Sequence, residues 1–134
     1  LRLSPVSPWN GMSDSDPHGT FGYVARELKP RGLAYLHIVE TLGSGPASDR
    51  ITPQLKQAFG GAVMVNGGYT ADAAAAAVAA GEADLVSFGV PYLANPDLAE
   101  RFRVGAELNA PDPKTFYGGA EKGYIDYPTL AARG

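Results

Sequence analysis

Two adjacent glycines, Gly67 and Gly68, stand between Val63–Asn66, four residues suited to a buried strand, and an alanine-rich run that opens at Thr70. Backbone N–H groups at a helix start, backed by the positive end of the helix dipole, bind anions, and glycine lets the anion approach the main chain closely. The chemistry available to this turn is phosphate binding, although a plain tight turn would use the same glycines. A second glycine, Gly89, closes the next apolar stretch and precedes Val90 and Pro91. Two consecutive strand ends that finish on glycine, followed by a short helix, strengthen the phosphate reading.

The titratable residues offer less. His18 lies in a loop that enters a helix and is expected at the surface or in a cap. His37 is mid-strand and is expected to be packed and hydrogen-bonded rather than catalytic. Glu40 ends the same strand, with a structural pair to a neighbouring arginine as its expected role. Asp14 and Asp16 lack the spaced glycine and terminal glutamate of a calcium loop, so helix capping is their simpler use.

Four units of one kind must position these groups. The first has a strand around Leu1–Ser4, a Pro- and Ser-rich loop, and a helix in which Phe21, Val24 and Leu28 recur at helical spacing before Gly32. In the second, "LAYLHIVE" reads as a strand, and Thr52–Phe59 as a helix with Pro53 in its first turn. The third is the glycine turn itself, with Thr70 as N-cap, Asp72 where the dipole favours a carboxylate, and Gly81 at the end. "ADLVSFG" opens the fourth, whose helix is expected to start from Asn95 as N-cap with Pro96 at the first helical position.

Short apolar strands alternating with helices predict an α/β fold with a parallel sheet. A closed eight-stranded barrel takes about 200 residues or more, so four units in 134 residues make half of one. Such a half would leave two strand edges unpaired unless a partner covers them. Residues 1–108 are thus expected as four βα units. Residues 109–134, dense in Pro, Gly and Tyr, are expected as an ordered extended segment that packs on the barrel. The opening "LRLSP" reads as a strand already under way, with the upstream residues removed or in another chain.

An apolar content of 45% with 19% charged residues is that of a globular chain. Net charge −3, with no dense Lys/Arg cluster, argues against nucleic acid as a partner. No apolar run reaches the roughly 18–20 residues of a membrane span, so no membrane partner is expected. Zero cysteines leave no disulfide framework and no thiolate metal site. Cytoplasm is the default location.

The wording of the chain is specific. "RLSP", "LAYLHIVE", "NGGYT", "ADLVSFG", "ANPDLAERF", "TFYGG" and "KGYIDYP" occur in the order and spacing of the old yellow enzyme family, which the whole chain resembles. The resemblance implies the C-terminal half, strands five to eight, of a (β/α)8 TIM barrel. It implies FMN at the barrel mouth, NADPH or NADH as reductant, and an activated alkene, nitro compound or nitrate ester as substrate. By position, Arg2 matches the arginine that reaches the flavin near N1. Gly67 and Gly68 match backbone donors to the FMN phosphate, and Gly89 and Val90 match a second phosphate loop. Trp9 and Tyr117 match substrate-side aromatics.

Val90 departs from the family wording, which has arginine after that glycine, so Gly89 and Val90 are expected to act through their amides alone. Arg101 and Arg103 could supply a cation, but solvation on a helix face is their expected role. The family's catalytic residues fall in the half that this chain does not match, so no catalytic residue is assigned here and the N-terminal half of the barrel is the expected partner. Two alternatives remain in the sequence. One is a half-barrel module that holds phosphate or flavin without reductase chemistry; the other is a nonfunctional fragment.

Overall fold

The computed structural model describes residues 1–7, 11–41, 50–118 and 120–133. Four parallel strands form one sheet in the order β1-β2-β3-β4: β1 Arg2–Leu3, β2 Leu36–Val39, β3 Val63–Asn66 and β4 Leu85–Val86. Among the described residues, five α-helices are interleaved or follow: α1 Pro17–Leu28, α2 Thr52–Phe59, α3 Ala71–Ala79, α4 Val90–Ala94 and α5 Leu98–Val104. The chain divides into two compact units, Leu1–Ser87 and Phe88–Gly134. Among the described residues, no helix is long and apolar enough to cross a membrane.

In the first unit the sheet is two-faced. Leu36, Ile38, Val63 and Val65 are buried and share a core with Ala25 of α1, Leu55 and Phe59 of α2, and Ala74 and Ala77 of α3. Their neighbours along the strands, His37, Val39, Met64 and Asn66, are half-buried, and Arg2 and Leu85 on that same face are exposed. Sequential strand order explains the asymmetry. When every crossover between neighbouring parallel strands has the same right hand, all the helices fall on one face. An open doubly wound sheet would reverse its order and cover both faces, so this order is that of a barrel sector.

The boundaries follow local chemistry. Asp16 caps α1 by accepting from the Gly19 N–H at 2.9 Å, and Asp14 accepts from the Asp16 N–H at 2.7 Å, as the capping expectation required. At the far end Pro30 turns the helix into a short 3₁₀ segment, and Gly32 closes it at φ +63°. Helix α2 has the expected limits, and Thr70 caps α3 through the Ala73 N–H at 3.2 Å. Both edge strands, β1 and β4, hold two residues, shorter than expected, while the inner strands hold four. Each edge strand has a ladder on one side only.

The second unit corrects the fourth helix. Asn95 does not cap it: α4 intervenes, and α5 begins after Asp97. The Asn95 side chain is committed elsewhere, donating to the Pro91 carbonyl at 2.9 Å and accepting from the Asn109 N–H at 2.7 Å. A capping oxygen cannot also serve a helix start that lies in another direction.

Arg101 also departs from expectation. It has no exposed surface and donates to Asp97 Oδ1 at 2.7 Å, the Glu107 carbonyl at 2.6 Å and the Pro128 carbonyl at 2.9 Å. Helix-face solvation describes only Arg103, which is exposed and pairs with Glu100 at 2.5 Å. Asp97 in turn accepts from the Leu130 N–H at 2.7 Å, so one ion pair fastens the C-terminal segment to α5.

Candidate functional site

In a parallel sheet all strands finish at one end, and ligands of α/β proteins gather there because loops and helix starts converge at that end. Here β2 finishes at Val39 before Glu40, and β3 at Asn66 before Gly67. The two glycines after β3 do different work. Gly67 has φ +134°, and a β-carbon there would collide with the Glu40 carbonyl. Its smallness serves the close approach of two strand ends. Gly68, at φ +82°, opens on empty space, with no atom within 4 Å of where a β-carbon would stand. Its N–H donates to no acceptor among the described residues. An open notch, an N–H without an acceptor among the described residues and the capped start of α3 are the parts from which an anion site could be built.

Glu40 carries a role that the sequence reading missed. It is buried, and its carboxylate accepts from the Ile51 N–H at 2.8 Å, the Thr52 N–H at 3.1 Å and the Thr52 hydroxyl. A buried carboxylate is tolerable here because the N-terminus of α2 satisfies it. The expected arginine is present as Arg50, but more remotely, with Nε 3.9 Å from Glu40 Oε2. Arg50 Nη2 donates to the Tyr69 hydroxyl at 2.9 Å. The only signal in the sequence was an acid at a strand end, and nothing local says that it will reach a helix start eleven residues on.

A polar network crosses the sheet face that the helices leave uncovered. The register sets Arg2 beside His37. His37 Nε2 lies 3.0 Å from Ser87 Oγ, and the Asn66 amide donates to the Ser87 carbonyl at 2.8 Å and to its hydroxyl at 3.2 Å. Burial first, and then the Arg2 charge, hold the His37 pKa below its ordinary value. His37 is packed and hydrogen-bonded, as expected. His18 is at the surface, also as expected, and ties α1 to α2 through Gln54 at 2.5 Å.

A groove of about 520 Å³ opens beyond β1, lined by Ser4, Pro5, Val6, Met12, Asp14 and Phe21 among others. Trp9 lies outside the described residues. In the second unit, Gly89 also opens on empty space and caps α4, of which Val90 is the first residue and exposed. Tyr117 is fully exposed, with its ring edge-on to Phe116 at 6.4 Å.

A parallel sheet in sequential order, with the helices of its unit packed on one face, defines an α/β protein. Residues 1–109 match the NADH:flavin oxidoreductase / NADH oxidase family. The chain belongs to that family, the family of the old yellow enzyme.

Over 142 residues it is 45% identical to "Putative 12-oxophytodienoate reductase 12" of Oryza sativa subsp. japonica, covering 97% of this chain and 35% of that protein. It is 39% identical over 130 residues to the "Probable flavin mononucleotide-dependent alkene reductase" of Leishmania infantum, with the same coverage. The structure of morphinone reductase in complex with tetrahydroNAD superposes with a TM-score of 0.86 at 49% identity, over 96% of this chain and 35% of that one. The chain therefore spans about a third of the length of the relatives it matches.

Proposed function

We propose that this chain supplies strands five to eight of a (β/α)8 barrel that binds FMN, oxidises NADPH or NADH, and reduces activated alkenes, nitro compounds or nitrate esters. Residues 1–108 would be its four βα units, and residues 109–134 an extended segment packed on the barrel. The remainder of the barrel is the partner, and it would carry the groups that bind and protonate substrate. FMN, when bound, supplies the hydride transfer between nicotinamide and substrate.

This chain's residues hold and orient it. Gly67 and Gly68 would offer main-chain amides to the phosphate, and Gly89 and Val90 would do so through theirs. Arg2 would set its permanent positive charge near the flavin, where reduction places negative charge. Trp9 and Tyr117 would face the substrate. Sequential strand order, helices on one face and the family match support the barrel. The FMN-dependent alkene reductase and the tetrahydroNAD-bound morphinone reductase among the relatives support the two redox partners.

The observation that carries the reading is the open notch at Gly68 beside a free N–H. The test is FMN and riboflavin titration of the full-length protein by flavin fluorescence. FMN should bind far more tightly than riboflavin, and Gly68→Ala should erase most of that difference while leaving riboflavin unaffected. Equal affinity for both flavins in the unaltered protein would sink the phosphate site.

The uncovered sheet face also favours a second reading, a half-barrel that associates and binds flavin without reductase activity. Bound flavin that NADPH and NADH both fail to reduce would select it.

A further inference from the structure

Resting on the reading that Arg2 reaches the flavin, we infer that His37 is a positioning residue for Arg2, clasped across the sheet by Ser87. Arg2 lies on β1, which is two residues long and pairs in parallel with β2. Its side chain is exposed, and the several rotatable bonds of an arginine leave the guanidinium free unless a neighbour confines it. In a parallel pair, registered residues share a face and lie about 4.8 Å apart, and the residue registered with Arg2 is His37.

The imidazole is itself held. Its Nε2 meets Ser87 Oγ at 3.0 Å, and Ser87 is fixed from β3 by the Asn66 amide, at 2.8 Å to its carbonyl and 3.2 Å to its hydroxyl. Residues on β2 and β3 and at the end of β4 thus hold one ring, and that ring is registered beside Arg2, the one charged residue of this face that would touch the cofactor.

A Ser-His pair raises the possibility of a nucleophile, and the surroundings oppose it. A general base must become imidazolium, which the adjacent Arg2 charge disfavours. No carboxylate among the described residues hydrogen-bonds the ring to offset that charge. The same neighbour suits a neutral wedge that confines a cation without adding a second charge beside the flavin.

The test uses the full-length FMN-loaded protein and a double-mutant cycle of His37→Ala and Arg2→Ala, with Ser87→Ala as a milder cut of the clasp. The readouts are the midpoint potential of the bound flavin and the rate of its reduction by NAD(P)H. His37→Ala should move the potential negative and slow reduction about tenfold. Ser87→Ala should shift both the same way by less, and His37→Ala should add nothing once Arg2 is already alanine.

Additive effects in the cycle would show His37 acting independently and overturn the inference. An effective Arg2→Ala beside silent His37→Ala and Ser87→Ala would also overturn it, while leaving Arg2 at the flavin. A silent Arg2→Ala would remove the reading on which both rest. Should His37→Ala fail to retain FMN, Ser87→Ala in the two Arg2 backgrounds decides in the same way.

Discussion

At the scale of single residues, adjacent glycines with positive φ separate structure from ligand binding. Gly67→Ala drives a methyl group into the Glu40 carbonyl, a backbone atom that cannot move without breaking the β2–β3 ladder. It is expected to destabilise the fold by about 3 kcal/mol, read by urea unfolding. Gly68→Ala meets open space and only the left-handed strain of about 1 kcal/mol, so its effect should fall on FMN affinity instead.

Val90 poses the reverse question. If a cation is missing from the phosphate loop, Val90→Arg should tighten FMN by roughly 1.5–3 kcal/mol, the worth of a hydrogen bond to a charged group; unchanged affinity would mean that main-chain amides already suffice.

His37 supplies a pH dependence. Its native pKa lies below its ordinary 6.5, so as pH falls through 6.5 the unfolded chain takes up a proton that the native chain refuses. Stability contributed by His37 is present above that value and is lost as pH drops towards the native pKa. Unfolding midpoints measured from about pH 7 down to pH 5 should show this slope, and His37→Gln should lose that part of it.

Elements depend on polar groups that arrive from elsewhere in the sequence. Helix α2 has no capping side chain of its own, because Ile51 occupies the N-cap position. Glu40 performs that office from eleven and twelve residues away. In Glu40→Gln an amide NH₂ would face N–H donors, and a loss of about 2 kcal/mol is expected on thermal or urea unfolding.

Helix α5 shows the same logic in the second unit. Arg101→Leu would leave the Glu107 and Pro128 carbonyls without their donor and remove the partner of Asp97, a loss of about 1–3 kcal/mol for the stranded acceptors. Proteolysis should report this as earlier cleavage after Asn109. The Leu130 N–H and then Arg101 hold the Asp97 pKa low, so this fastening is expected to weaken in acid as the carboxylate protonates.

At the scale of the molecule, the decisive property is that, among the described residues of the first unit, the helices pack on one face of the parallel sheet. Such sheets are normally covered on both faces, and here Leu85 and Arg2 stand exposed on the bare one. The 134-residue chain by itself should associate in size-exclusion chromatography and bind a hydrophobic dye. Adding the complementary barrel segment should reverse both; a monodisperse monomer that ignores the dye would show that the bare face needs no cover.

The sequence by itself determined the helix and strand alternation, the limits of α2, the caps at Asp16 and Thr70, and the glycine turn, because each depends on residues a few positions apart. The old yellow enzyme family was legible for a similar reason, since its motifs are short contiguous runs. Only the tertiary structure decided which glycine spares a carbonyl and which leaves a notch, where Glu40 and Arg101 spend their charges, and that His37 stands beside Arg2. Those outcomes rest on contacts between residues 4 to 50 positions apart. A short motif cannot encode which distant donor will reach a charge, because that partner is chosen by how the strands register and where the loops return.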